Sequence, residues 1–378
     1  MRRTRQRRGD APGRGAAGVP RSRAAGALAP AGPHGWARSR RPPVSSPTDP
    51  AAAYGRLLET FDVHGASDLV VELLDGGMSV ERIITDVLAP AQVGVGERWE
   101  SGAWSVADEH VATSVTEAAL AALTHAARPR RGTQTRHVAV ACAEGEWHSL
   151  PARMAATIAG ATGEVRVTML GASLPAEQLH RRLSVGDIDM LALSCSMPTN
   201  LIGAARCIAA AHDVAVPVMI GGRALGGTHD RAHAIGADAW APDASSILTA
   251  RPELMGRDTD IPTEVMLLDA VDDAVVALTY DRMLAAFPRL AAMTAYQHAR
   301  TREDLGWMAR HTAAALLTDD PSIAADVLTW LCTRLSDFVP ASVITDTAAL
   351  LAETLEPQAP HGAQMLRRGI AAVDAGTS

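Results

Sequence analysis

His137-Val138-Ala139-Val140-Ala141-Cys142, then Ala143 and Glu144-Gly145-Glu146-Trp147-His148-Ser149-Leu150-Pro151, is the stretch from which the rest of the chain is read. A short apolar run that passes through a polar, glycine-containing loop into a new apolar segment reads as strand, loop and helix. Four further apolar runs follow at 165–170, 190–194, 216–220 and 237–241. Segments of helical periodicity lie between the strands, at 152–158, 176–183, 201–211 and 224–235. This alternation over residues 135–256 predicts a flavodoxin-like α/β domain, five-stranded and parallel, with helices on both faces. Sheets of this kind take ligands at the carboxyl ends of their strands, beside the point where strand order reverses. The loop that carries Glu146 and His148 therefore lies where a ligand belongs.

Upstream, residues 49–130 have a helical period. Leu57, Leu58 and Phe61 share a face, as do Leu69, Val70, Leu73 and Leu74. A longer run starts at Ser79, its expected cap, and turns Ile83, Ile84, Val87 and Leu88 inward. Another opens at Ser105, with Asp108 three residues on in a capping-box arrangement. Four helices with short loops predict a small cap bundle. The segment 126–135 breaks the period and reads as a linker. Residues 1–48 are rich in Arg, Gly, Pro and Ala and lack periodicity, so a disordered basic tail is expected. Downstream, polar residues 252–262 lead into a C-terminal all-α domain over 263–378. Its expected helices are 263–286, 289–300, 303–318, 321–338, 341–356 and 360–374. The expected fold class is thus multidomain α and α/β.

The chain has 378 residues, 47% of them hydrophobic, which is ample for two or three cores. It has no apolar run of bilayer-spanning length and no signal-peptide pattern, so a cytoplasmic protein without a membrane partner is expected. All 35 basic residues are arginine. The first 50 residues hold 11 of them against Asp10 and Asp49, leaving 24 arginines and 40 acidic residues for the remainder. An acidic body argues against nucleic-acid binding by the folded part. Cys142, Cys195, Cys207 and Cys332 are scattered without CxxC spacing, so buried thiols are expected rather than a zinc site.

A carboxylate two residues before an exposed histidine suits a metal ligand, because the carboxylate orients the imidazole and raises its basicity. On spacing alone His148 reads equally as a histidine bonded within a helix-capping turn. Ser194-Cys195-Ser196 ends the third strand, and Gly221-Gly222 ends the fourth, where paired glycines let a ligand approach the backbone closely. Together these residues outline a trough along the carboxyl ends of the strands.

This set resembles the cobalamin-binding domain shared by methionine synthases, mutases and cobalamin-dependent photoreceptors. Those domains carry Asp or Glu, any residue, His, two residues and Gly; later Ser-x-Leu; later Gly-Gly. Glu146 and His148 match the first motif, Ser194 the second, Gly221 and Gly222 the third. Pro151 stands where glycine is usual, which implies a different loop-to-helix turn. Ser196 stands where leucine is usual, which implies a more polar wall around the nucleotide tail. The resemblance implies that the tail lies in the trough beside Trp147 and that His148 is the lower ligand to cobalt.

Trp99 followed after nine residues by Glu109-His110 resembles the upper-face motif of light-sensing cobalamin proteins. That resemblance implies that Trp99 packs on an adenosyl group, Glu109 bonds to it, and His110 is a second cobalt ligand after light. Taken alone, Trp99 reads as bundle core and Glu109-His110 as an exposed helix start. Trp104 is close by and reads equally as core. The run Thr301-Arg302-Glu303-Asp304-Leu305-Gly306-Trp307, with Asp319-Asp320-Pro321 and Leu328-Thr329-Trp330-Leu331, resembles the C-terminal domain of photocobilins, which pair cobalamin with biliverdin. Tyr296, His298, Arg300, Arg302, Trp307 and His311 are the bilin candidates, and the bare reading of that histidine and tryptophan is core and rim.

The leading expectation is a sensory protein, not an enzyme, that binds adenosylcobalamin and biliverdin. It would signal through cap rearrangement and light-dependent homo-oligomerisation, or through a separate effector. No helix-turn-helix is read ahead of the cap, so a repressor of the usual cobalamin-dependent build is not expected. The alternative is a corrinoid methyl carrier serving methyltransferases. A radical mutase would need a large substrate barrel, and intact Glu146, His148 and Gly221-Gly222 speak against a cofactor-free interaction module.

Overall fold

The computed structural model describes residues 49–127, 136–255 and 260–376, so the expected basic tail and most of the expected linker lie outside the described residues. The cap starts with α1 (Pro50–Glu59) and α2 (Val63–Asp75), whose N-caps Asp49 and Asp62 accept backbone N–H bonds from Ala52 and Gly65. Then α3 (Val80–Ile83), a π turn at Ile84–Leu88 and α4 (Ala89–Glu100) run on as one long helical stretch, capped by Ser79 as expected. The π turn has a cause in Pro90, which has no N–H for the Asp86 carbonyl and whose ring would strike it. Widening the helix just before the proline relieves both. The capping box at Ser105 and Asp108 is present and starts α5 (Val106–Ala126).

The α/β region runs β1 (Arg136–Cys142), α6 (Ser149–Ala161), β2 (Val165–Gly171), α7 (Ala176–Leu183), β3 (Met190–Ser194), α8 (Leu201–His212), β4 (Val218–Gly221), α9 (His229–Ala234), β5 (Ala239–Ala241) and α10 (Ser246–Thr249). All pairings are parallel, in the order β2-β1-β3-β4-β5, so the order reverses between β1 and β3. Cys142, Ser194, Gly221 and Ala241 align across the carboxyl ends of four strands. β4 starts two residues later than expected because Pro217 has no N–H; its carbonyl accepts from Leu191, and the Val218 N–H goes to the Asp238 side chain. The helix expected at 224–235 is instead a 3-10 turn at Arg223–Leu225 followed by the shorter α9. Gly226 and Gly227, at φ 66° and 74°, break it.

The remaining helices are α11 (Thr263–Asp269), α12 (Asp273–Ala286), α13 (Ala295–Thr318), α14 (Ser322–Arg334), α15 (Ala341–Leu355) and α16 (Pro360–Gly376). The expected helix 263–286 is split, since Asp272 starts a fresh N-cap. The expected 289–300 and 303–318 are one helix, started by a capping box between Thr294 and Gln297. No helix among the described residues is long and apolar enough to cross a membrane.

One face of α6 (Leu150, Met154, Ile158) completes the cap core, while Ala152 and Ala159 pack on the sheet. The spacing i, i+4, i+8 aims the first set at one neighbour. On the opposite side of the sheet, a single core joins β3 and β4 through α8 and α9 to α13, α14 and α16. Arg231 of α9 reinforces that junction, donating to Asp320 Oδ2 at 2.8 Å, to Ser322 Oγ at 2.9 Å and to the Ala224 carbonyl.

Candidate functional site

The loop after β1 is organised by a carboxylate that no solvent reaches. Glu146 is fully buried. Its Oε1 accepts the His148 backbone N–H at 2.9 Å and lies 2.6 Å from His148 Nδ1. Its Oε2 accepts the Ser196 and Met197 N–H groups, at 2.7 and 2.9 Å, and the Asn200 amide at 3.1 Å. Burial opposes the charge, but the bonds from His148, Met197 and Asn200 outweigh it and draw the pKa down to about 2. An ionised carboxylate can only accept, so His148 Nδ1 carries the proton and Nε2 of the neutral ring keeps a lone pair. The His148 side chain is 62% exposed, so that lone pair is accessible.

The hydrogen bond to Glu146 raises the His148 pKa against the opposing effect of burial, and the charges of Glu146 and Glu109 add to the rise. Glu109 belongs to the first turn of α5, so the cap carboxylate and the loop imidazole share one electrostatic environment. Beside Glu109, His110 bonds it through Nδ1 at 2.6 Å and is 73% exposed. Trp99, near the end of α4, is partly exposed. Trp104 behaves as structure: it packs on Phe61 at 6.0 Å, with the Arg98 guanidinium 4.9 Å from its ring.

A cavity of about 240 Å³ lies between α6 and the carboxyl ends of the strands. Val140, Ala192 and Met219 contribute from the strands, Ala152 and Ala155 from α6, and Ser194, Gly221 and Gly222 from the strand ends. Gly222 has φ 115°, and a Cβ there would fall 2.2 Å from the Cys195 carbonyl oxygen. Ser196 stands outside the lining and instead gives its N–H to Glu146. Pro151 falls in the first turn of α6, where its missing N–H costs no helical bond. Trp147 is exposed next to His148.

Among the described residues no cluster of three or more His, Cys, Asp or Glu could hold a metal ion alone. A corrin brings four nitrogens of its own and needs only axial partners. An imidazole oriented by a buried carboxylate, together with a mostly apolar cavity among the strand ends, fits such a group.

The bilin candidates fall into two sets. His298 bonds the Tyr280 hydroxyl, and the Arg302 guanidinium lies 3.8 Å from the Tyr280 ring centroid. Trp307 and His311 stack on each other at 5.5 Å. His298 and Trp307 are nine residues apart on α13, about half a turn out of phase at 100° per residue. Tyr296 is exposed, and Arg300 pairs with Glu303. The sequence reading missed Asn200, which touches Glu146 across 54 positions of chain and had no local signal.

Residues 51–124 match one family model and residues 136–249 a second, both described as a B12 binding domain. Over 136 residues the chain is 38% identical to the HTH-type transcriptional repressor CarH of Myxococcus xanthus. That alignment covers 36% of this chain and 44% of the relative, so the chain spans less than half the length of the curated protein it matches. Among solved structures, the monomethylamine corrinoid protein of Methanosarcina barkeri is 22% identical, with a TM-score of 0.46 over 52% of this chain and 93% of its own. A cobalamin-binding protein from Desulfitobacterium hafniense DCB-2 is 20% identical, with a TM-score of 0.30 over 53% of this chain and 96% of its own. The two domain matches support cobalamin binding, on a Rossmann-like B12-binding fold with a helical cap before it and a helical region after it.

Proposed function

We propose that this chain is a light-responsive sensory protein that holds adenosylcobalamin between the cap and the carboxyl ends of the strands. The observation that carries the reading is the facing pair of motifs: the His148 imidazole, locked by buried Glu146, lies within the electrostatic reach of Glu109. Adenosylcobalamin supplies a cobalt–carbon bond that visible light cleaves. The chain supplies the rest. His148 presents Nε2 as the lower ligand, and Glu146 fixes its tautomer and direction. The cavity at Ser194, Gly221 and Gly222 takes the nucleotide tail. Trp99 covers the upper face, Glu109 offers a carboxylate to the adenosyl group, and exposed His110, bonded to Glu109 through Nδ1, would turn to serve as a second imidazole.

A packed cap that loses a bulky neighbour repacks between discrete arrangements, which makes it a bistable element. The output is a light-dependent change of oligomeric state or of affinity for a separate effector. We further propose a biliverdin at the C-terminal helices, its candidates Tyr296, His298, Arg302, Trp307 and His311 being divided so that one bilin would engage either the His298–Arg302 side of α13 or the Trp307–His311 side.

The test is an absorption spectrum of protein reconstituted in the dark with adenosylcobalamin and biliverdin, before and after green light. A cobalamin spectrum that converts on illumination, with a bound red-absorbing band, supports the reading. Cobalamin binding without a stable light product or bilin band moves the assignment to a corrinoid methyl carrier.

A further inference from the structure

Glu109 does not end at the surface. Its Oε1 accepts a bond from the Thr113 hydroxyl at 3.1 Å, one helical turn on. The same hydroxyl lies 3.3 Å from Gln92 Oε1 on α4. Gln92 Nε2 donates to Thr116 Oγ1 at 2.6 Å, and the buried Tyr54 hydroxyl of α1 donates to that same oxygen at 3.1 Å. The Thr116 hydroxyl itself donates to the Ala112 carbonyl. Tyr54 and Thr116 are both fully buried, so these groups have no water to fall back on. Burial pushes the Tyr54 phenol up to about 12, against the bond to Thr116.

The count of protons at Thr113 is what makes this more than packing. A hydroxyl has one hydrogen to give, and here two acceptors lie within reach. An ionised carboxylate is the stronger acceptor, so Glu109 holds the Thr113 proton and leaves Gln92 Oε1 with the weaker contact. If Glu109 swings away, the hydroxyl turns to Gln92, and the amide that donates to Thr116, the acceptor it shares with the Tyr54 hydroxyl, is pulled with it. A buried chain of this kind has discrete arrangements rather than a continuum.

We propose that Thr113 and Gln92 are positioning residues for Glu109, joining half-buried Glu109 and its exposed partner His110 to the buried Tyr54–Thr116 bond in the cap core. The role of Glu109 at the upper face rests on the function proposed above; the relay itself does not. The seam is well placed for it: Glu109, Thr113 and Thr116 share one face of α5, while Gln92 and Trp99 share one face of α4. Tyr54 brings α1 into the same chain, so a change at the upper face reaches a third helix.

The chain has three tyrosines, so tyrosine Cζ resonances of a ¹³C-labelled sample report on Tyr54 without crowding. In cobalamin-free protein, Thr113→Val and Gln92→Met should each move the Tyr54 resonance and leave Tyr280 and Tyr296 in place. Thr113→Ser, which keeps the hydroxyl, should restore it. A Tyr54 resonance unmoved by Thr113→Val overturns the relay. A second measurement tests the positioning role in the dark. Thr113→Val should weaken adenosylcobalamin binding by roughly tenfold, the scale of one charge-assisted bond. It should leave cyanocobalamin, whose upper ligand is small, bound as by the wild type. Equal weakening of both overturns the positioning role. A wild-type chain that binds neither overturns the proposed function, while the tyrosine shifts still decide the relay. Unchanged thermal unfolding of Thr113→Val and Thr113→Ser shows that the cap remains folded in both.

Discussion

At His148 the two ring nitrogens have separate tasks. Nδ1–H is committed to Glu146, and only Nε2 faces outward. Replacing His148 by Ala should therefore leave a cobalamin that is held weakly or shows a spectrum with its own base on the metal. Wild-type ligation in that variant would count against the assignment. The raised His148 pKa sets a pH limit: a proton on Nε2 removes the lone pair. Because that proton competes with cobalt for the free ring, the apparent affinity for cobalamin should begin to fall as the pH drops through a value above the ordinary 6.5, and binding measured across a pH series would locate it. Glu146 acts in the opposite direction. Its depressed pKa contributes stability that is complete above the ordinary 4.5 and is lost as the pH falls toward about 2. The contribution is on the order of 3 kcal/mol. Glu146→Gln should flatten the acid limb of an unfolding-versus-pH curve, and an unchanged limb would show that other carboxylates carry it.

At the scale of elements, helix starts and strand ends decide the site. Ser105 accepts the Asp108 N–H and so fixes the first turn of α5, which carries Glu109 and His110. Ser105→Ala should cost about 1 kcal/mol of stability in a urea titration. This cap was legible from the serine and aspartate three apart, as was Ser79 ahead of α3. The strand end at Gly222 depends on backbone conformation. Gly222→Ala would force a Cβ onto the Cys195 carbonyl at a positive φ, a strain of about 1–3 kcal/mol. If the rim distorts by that much, cobalamin binding should fall roughly tenfold or more in equilibrium dialysis. Undiminished binding would detach the glycine pair from the tail slot.

Across the whole molecule, the C-terminal helices share a core with one face of the sheet and are pinned to it by Arg231. Asp320→Ala would leave that guanidinium buried without its counter-charge. Such losses cost about 3–5 kcal/mol when both partners are fully buried. Asp320 is about a third exposed, so a cost of about 2 kcal/mol is expected. Arg231→Met, which removes the charge and keeps the bulk, should cost less in the same denaturant series. The reverse order would mean that the ion pair itself, not the stranded cation, holds the junction. Glu144, two residues before Glu146, pairs with Arg206, and Arg206 reaches Asp269 of α11.

Periodicity and caps are local properties, and at that level the sequence by itself determined the helical cap, the five parallel strands and the helical C-terminal region. Each needed only an apolar spacing and a turn residue within a few positions. The tandem Gly226–Gly227 break and the continuous α13 were misread because glycines inside an apolar run, and charges between two such runs, are ambiguous until neighbours pack. The motif around Glu146 and His148 was visible as well, but not the means by which it is held. Asn200, Ser196 and Met197 meet one carboxylate only because β1 and β3 lie side by side where the strand order reverses. Likewise, nothing in the spacing of Tyr54, Gln92 and Thr113 announces a shared chain of hydrogen bonds. Buried polar groups must find partners wherever the fold brings them. Those pairings were decided by the tertiary structure alone, because they join residues with no periodicity in common.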